Sequence, residues 1–156
     1  MLGTGIAAPD FELHATPNQK LALSGLKGKN IVLAFYPADW SPVCGDQMSG
    51  FNEVHPSFSR YNAVLLAVSV DSKWCHAAFR ENRKLHFTLL ADFEPKGAVA
   101  KKYGVYNEKE GRSERALFVI DHEGIIRWNF LSPSGMNPGT EGIIKALEMI
   151  AGKNNE

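Results

Sequence analysis

Three short apolar runs punctuate the chain: Ile31–Tyr36, Ala63–Val70 and Ala116–Ile120. Each is rich in β-branched and aromatic residues, and none alternates with polar ones, the pattern of strands covered on both faces. Helical stretches are predicted between them. The first runs from about Val43 to Val54 and is closed by Pro56, which cannot continue a helix. The second is capped by Ser72 and reaches about Arg83, and a shorter one spans Pro95 to Gly104. Further on, the turn-rich Asp121-His122-Glu123-Gly124 joins Ala116–Ile120 to Ile125–Phe130 as a hairpin. A last helix, Gly139–Ile150, carries Ile143, Ile144, Leu147 and Ile150 along one side, and residues 152–156 read as a frayed tail.

Strands alternating with helices imply a parallel βαβ core, to which the hairpin adds an antiparallel pair. The expected class is therefore α/β with a thioredoxin-like fold, a central mixed sheet flanked by helices, preceded by an N-terminal extension. A chain of 156 residues fits one domain spanning 1–156, with no internal repeat or linker to divide it.

Charge then removes some functions. Lysine plus arginine and aspartate plus glutamate each number 17, so no net field draws nucleic acid or an anionic membrane. No apolar run approaches the ~20 residues of a membrane span, and Met1–Gly5 has no basic cluster ahead of an apolar stretch. The expectation is a cytoplasmic protein. With two cysteines in such a compartment, cysteine chemistry is expected to be catalytic rather than structural.

The informative segment is Phe35-Tyr-Pro-Ala-Asp-Trp-Ser-Pro-Val-Cys44, which leads from a buried strand into a helix. Ser41 suits the N-cap and Pro42 the first helical position, where its missing N–H costs nothing. Cys44 is then third in the helix. Amides of the first turn lack intrahelical partners and carry the positive end of the helix dipole, which favours a thiolate and can hold oxygens of a bound molecule. A lone cysteine is more often a small core residue; the Ser-Pro-Val-Cys context argues against that here.

Pro37-x-x-x-Ser41-x-x-Cys44, led in by Phe35-Tyr36, resembles the active-site signature of the peroxiredoxin family. Arg115-Ala-Leu-Phe-Val-Ile-Asp121 is similar to the family's strand that bears the active-site arginine, and Val68–Ser72 and Leu89–Asp92 also match family segments. The resemblance implies a thiol peroxidase that reduces hydrogen peroxide or organic hydroperoxides, with no metal, haem or flavin cofactor. Cys44 would be the peroxidatic cysteine, Ser41 a hydroxyl for the peroxide, and Pro37 a shield for the thiolate. Arg115 would stabilise the thiolate and the charge developing on oxygen. Otherwise Arg115 is a surface charge paired with Glu114 or Glu110. The place three residues after Cys44, often acidic in the family, is Gln47, which can hydrogen-bond an arginine without charge.

A sulfenic acid on Cys44 needs a second thiol to reduce it. Within the chain that can only be Cys75, in Asp71-Ser-Lys-Trp-Cys-His76. If Ser72 caps its helix, Cys75 lies in a first turn where the dipole again favours thiolate. Its position resembles a minority of resolving cysteines in small bacterial peroxiredoxins, and Cys75 is the expected resolving residue. No cysteine follows in the C-terminal part, where the typical two-cysteine subfamily carries its resolving residue, so that subfamily is not expected. The competing reading makes Cys75 an inert packing residue and the protein a one-cysteine enzyme reduced by an external thiol. In either case the expected reductant is a thioredoxin- or glutaredoxin-like dithiol, and the resemblance adds a homodimer packed beside the site. A redox sensor or holdase, oxidised without turnover, is the alternative from another class. The five histidines form no metal-ligand spacing with Cys75, and Trp40, Trp74 and Trp128 read as packing residues.

Overall fold

The computed structural model describes residues 1–154, and the expected N-terminal extension proves to be part of the sheet. Strands β1 (Glu12–Thr16) and β2 (Gln19–Ala22) form a hairpin at one edge. The order continues with β3 (Asn30–Phe35), α1 (Pro42–Val54), β4 (Ala63–Ser69), α2 (Lys73–Arg83), β5 (Thr88–Ala91) and α3 (Ala98–Lys102). A two-residue pair, β6 (Tyr106–Asn107) and β7 (Arg112–Ser113), precedes β8 (Arg115–Ile120), β9 (Ile126–Ser132) and α4 (Glu141–Asn154). The main sheet has seven strands in the order β2-β1-β5-β4-β3-β8-β9. Strands β3, β4 and β5 are parallel, while β8 runs antiparallel to β3 and β9 antiparallel to β8. The fold is the mixed thioredoxin-like α/β sheet that the alternation implied.

The apolar runs do not alternate because both sheet faces are covered. Val32, Ala34 and Tyr36 face the same way as Leu65, Ala67, Leu117 and Val119, and pack on Met48 and Phe51 of α1 and Ile143 and Leu147 of α4. Ile31, Leu33 and Phe35 face the other way, with Leu66, Val68 and Phe118, onto Val99, Ala100 and Tyr103 of the α3 region. Tyr103 is the hub of that second layer: its ring lies 5.4 Å from Phe35 and 5.3 Å from Phe118. Its hydroxyl donates to the Pro9 carbonyl at 2.7 Å, fastening the N-terminal segment to the core.

Two helix boundaries differ from expectation. The third helix begins at Ala98 rather than Pro95, because Gly97 takes a left-handed turn (φ +71°) where a side chain would strike the Tyr106 ring. Asp92 then caps the helix from a distance, accepting from the Val99 and Ala100 amides at 3.0 and 2.9 Å. The last helix starts at Glu141 and continues to Asn154, through most of the expected tail; residues 155–156 lie outside the described residues. Among the described residues, no helix is long and apolar enough to cross a membrane.

Candidate active site

Strand β3 delivers the chain into the loop 37–41, where Pro37 is buried, and Ser41 takes the extended conformation of an N-cap (φ −69°, ψ 145°). Its Oγ accepts from the Cys44 amide at 3.2 Å. Cys44 is thus third in α1, as the capping rule predicted, and its side chain is wholly buried (0% exposed).

Arg115 reaches this sulfur because of sheet register. It opens β8, whose next residue, Ala116, pairs with Phe35 at the end of β3, so its side chain lands where α1 begins. Arg115 Nη1 donates to Cys44 Sγ at 3.3 Å and to Gln47 Oε1 at 2.6 Å. Its Nε and Nη2 both donate to the Ser134 carbonyl, at 3.1 and 2.8 Å. The loop holding Ser134 is itself tied by Ser132, whose hydroxyl donates to the Met136 carbonyl at 2.9 Å. Arg115 is 1% exposed and does not pair with Glu114, whose carboxylate accepts from Asn107 instead. Gln47 lies one turn after Cys44 on the same helix face, which brings its carboxamide to the same guanidinium.

The structure therefore brings Pro37, Ser41, Cys44 and Arg115 to one end of β3. Cys75 joins them less closely. Ser72 does cap α2, accepting from the Cys75 amide at 3.1 Å, yet no hydrogen bond links Cys75 to Cys44, Ser41 or Arg115. The Cys75 thiol faces carboxylates, donating to Asp71 Oδ1 at 3.9 Å. Burial first, then the charges of Asp39 and Asp71, push it up to about 11. The expected dipole stabilisation of a Cys75 thiolate is overridden by burial and, after it, by those negative charges. Both thiols are free.

Those carboxylates belong to a buried polar network that the sequence reading missed. His76 Nδ1 meets Asp39 Oδ2 at 2.7 Å, and its Nε2 meets the Leu90 carbonyl at 3.0 Å. Tyr36 donates to Asp39 Oδ1 at 2.6 Å, and Ser69 donates to Asp71 Oδ2 at 2.6 Å. The Asp39 amide donates to Asp71 Oδ2 at 2.8 Å, closing the set. Burial, with Asp39 beside it, holds the Tyr36 phenol well above its usual range, so its proton stays in that bond. A signal was present: polar residues just past the carboxyl ends of parallel strands are where α/β sheets place their sites. Asp39, Asp71 and Cys75 each bring a donor atom within 4.8 Å of the others, a metal-like spacing, but both carboxylates are already committed to His76, Tyr36, Ser69 and a backbone amide.

The network ties the 37–41 loop to β4 and α2, so it is expected to stabilise the site's scaffold. His76→Ala leaves Asp39 buried without its partner and is expected to cost about 3 kcal/mol, read as a lower urea midpoint. An unchanged midpoint would mean that the pair does not support the loop.

The tryptophans also depart from expectation. Trp74 is 67% exposed and Trp40 is exposed, with only its edge against Phe79 (5.2 Å between centroids), while Trp128 does pack on the core.

A buried thiol with a fixed cation against it, at the start of a helix in a thioredoxin-like sheet, has the parts that thiol redox catalysis uses. The AhpC/TSA family matches residues 4–129. Alkyl hydroperoxide reductase E of Mycobacterium tuberculosis is 36% identical over 136 residues, covering 86% of this chain and 89% of that protein. A peroxiredoxin of Thermoplasma volcanium is 31% identical over 152 residues, covering 94% and 73%. Among solved structures, the reduced 2-Cys peroxiredoxin of Plasmodium vivax superposes with a TM-score of 0.89 at 25% identity, covering 97% of this chain and 83% of that one. Peroxidoxin BcpB of Mycobacterium tuberculosis gives 0.86 at 28% identity, covering 96% and 99%. The chain belongs to the AhpC/TSA family and is a peroxiredoxin, a thiol-dependent peroxidase.

Proposed function

We propose that Cys44 is the peroxidatic residue and that the enzyme reduces hydrogen peroxide or a small organic hydroperoxide through a Cys44 sulfenic acid. The observation that carries this reading is the Arg115 Nη1–Cys44 Sγ hydrogen bond of 3.3 Å inside a buried site. The thiolate attacks one peroxide oxygen, the O–O bond breaks, and its electron pair leaves on the other oxygen as hydroxide or alkoxide, which takes up a proton. The sulfur loses two electrons and gains the oxygen. Arg115 offsets the negative charge as it moves from sulfur to the departing oxygen. Ser41 already accepts from the Cys44 amide, and its hydroxyl proton remains available for a peroxide oxygen. Pro42 has no N–H and the Cys44 amide is committed to Ser41, so the Val43 amide is the first-turn donor left for the substrate. Pro37, buried in the loop before the helix, limits water around the sulfur.

The sulfenic acid must then be reduced by two thiols in turn, the first forming a disulfide with Cys44 and the second releasing it. Cys75 would have to attack as a thiolate, and burial and the neighbouring carboxylates push that thiol up to about 11, away from ionisation at neutral pH. We therefore favour an external thioredoxin- or glutaredoxin-like dithiol acting directly on Cys44, in the cytoplasm, where such reductants are maintained. One equivalent of hydrogen peroxide added to fully reduced protein, followed by intact mass and a peptide map, tests both steps. Addition of oxygen at Cys44 is the expected result. Loss of two hydrogens with a Cys44–Cys75 cross-link would move the resolving role to Cys75, and an unmodified Cys44 would overturn the peroxidatic assignment.

A further inference from the structure

Trp40 and Arg83 bracket Cys44 from the outside. Trp40 precedes the N-cap of α1 and is 47% exposed. Its backbone is left-handed (φ +69°), a conformation that a bulky residue keeps only where its surroundings hold it. Arg83, the last residue of α2, is exposed, and its guanidinium rests on Gly45, the residue after Cys44. Phe79 lies under both: the Trp40 ring meets it edge-on at 5.2 Å, and the Arg83 guanidinium stands 5.9 Å from its centre. One buried ring thus carries an exposed indole and an exposed guanidinium, set on either side of Cys44 along the chain.

An arginine at the end of a helix is ordinarily a solvated charge that suits the helix dipole. The placement of Arg83 is more specific. Gly45 is buried within α1, where glycine weakens a helix, and a side chain there would begin 3.0–3.3 Å from the guanidinium atoms. The missing side chain leaves the space that the guanidinium fills. Among the described residues no carboxylate lies within 4 Å of it; the ion pairs are His76–Asp39, His122–Glu123 and Arg127–Asp121. Arg80, Arg83 and Lys84 outnumber Glu81 at the end of α2 and Asp46 beside Gly45, all of them exposed, so this surface is net positive.

Resting on the reading that an external dithiol protein reduces Cys44, we propose that Trp40 and Arg83 form the docking surface for that reductant, which presents an acidic side chain beside its two thiols. The chemistry dictates where such a protein must sit. Its first thiol attacks the Cys44 sulfenic sulfur: an S–S bond forms, the S–O bond breaks, and the hydroxyl leaves as water with the thiol's proton. Its second thiol then attacks the partner sulfur of that mixed disulfide, leaving the partner oxidised to a disulfide and Cys44 reduced to a thiol. The first bond is made to Cys44 itself, so the contact must adjoin the start of α1, which Trp40 and Arg83 flank. Tryptophan and arginine are the side chains that most often dominate protein contacts, and a guanidinium without a carboxylate partner can take one bidentately. Hydrogen peroxide is neutral and has no use for an outward-facing cation.

Single-turnover reduction tests the surface. Cys44 is oxidised with one equivalent of hydrogen peroxide and mixed with a reduced bacterial thioredoxin whose dithiol is flanked by acidic residues, or with dithiothreitol. Recovery of the Cys44 thiol is followed by quenching, alkylation and peptide mapping. Arg83→Gln is expected to slow reduction by thioredoxin about tenfold at low ionic strength, and Arg83→Glu to slow it further. Added salt is expected to slow the wild type and leave Arg83→Gln nearly unchanged. Reduction by dithiothreitol and oxidation by hydrogen peroxide are expected to keep wild-type rates, since neither reagent carries a carboxylate. Equal slowing with dithiothreitol, or slower oxidation, would assign Arg83 a packing role and overturn the proposal. So would a wild-type rate with thioredoxin in Arg83→Glu. A wild-type protein that dithiothreitol reduces and thioredoxin does not would overturn the external-dithiol reading, and this surface with it.

Discussion

Cys44→Ser is expected to consume no hydrogen peroxide above the protein-free rate when a thioredoxin system supplies electrons, while Cys75→Ser keeps substantially full turnover. The contrast follows from what oxygen cannot do. A serine hydroxyl ionises far less readily than a thiol, so the nucleophile is absent at neutral pH. Even an alkoxide that attacked a peroxide would make a new O–O bond as the old one broke, and no net reduction would result. Sulfur can take the oxygen and later return it as water. The variant should fold, since serine nearly matches cysteine in shape and its hydroxyl can accept from Arg115 Nη1 in place of the sulfur. Near-UV circular dichroism of the variant should therefore overlay that of the wild type. Peroxide consumption by a folded Cys44→Ser variant would put the chemistry elsewhere in the chain. Loss of turnover in Cys75→Ser would instead mean that the carboxylates around Cys75 release its thiol during the cycle.

The parts of this site set by local rules were legible in the sequence. Ser41, Pro42 and Cys44 occupy N-cap, first and third helical positions because capping depends on a few consecutive residues, and Ser72 caps α2 for the same reason. The covered strands β3, β4 and β8 were legible because burial on both faces leaves continuous apolar runs. The edge hairpin was not: Glu12–Thr16 reads Glu-Leu-His-Ala-Thr, a half-exposed strand whose mixed character gives no run to detect. Strand β5 has only four residues, too few for a period to emerge. Spacing alone could not bring Arg115 to Cys44 across 71 residues, because the contact depends on the Phe35–Ala116 register; the family resemblance supplied that pairing. Cys75 shows the converse. Its helix position was read correctly, but the dominant local field comes partly from Asp39, which reaches it through a loop belonging to another βα unit.

Arg115→Met is expected to lower the second-order rate of Cys44 oxidation by about 10²–10³ at pH 7, the scale on which one preorganised donor to a reacting oxygen matters. Nη1 lies beside the sulfur from which negative charge moves toward the departing oxygen. Methionine fills similar apolar volume and leaves no buried carboxylate unpaired, since the arginine's other partners are the Gln47 and Ser134 oxygens. Stability should fall by about 1–3 kcal/mol for each buried acceptor left behind, and a urea midpoint separates that loss from the loss of rate. Arg115→Lys sharpens the test. A lysine keeps the charge but offers one ammonium, which cannot span the sulfur, Gln47 and Ser134 with the geometry of a planar fork. If charge alone matters, Arg115→Lys restores nearly the whole rate; if the fork must be aimed, it recovers only part. The four hydrogen bonds that fix the guanidinium favour the second outcome. A rate for Arg115→Met within threefold of wild type, measured by stopped-flow tryptophan fluorescence with Trp40 as reporter, would show that the sulfur needs no cation beside it.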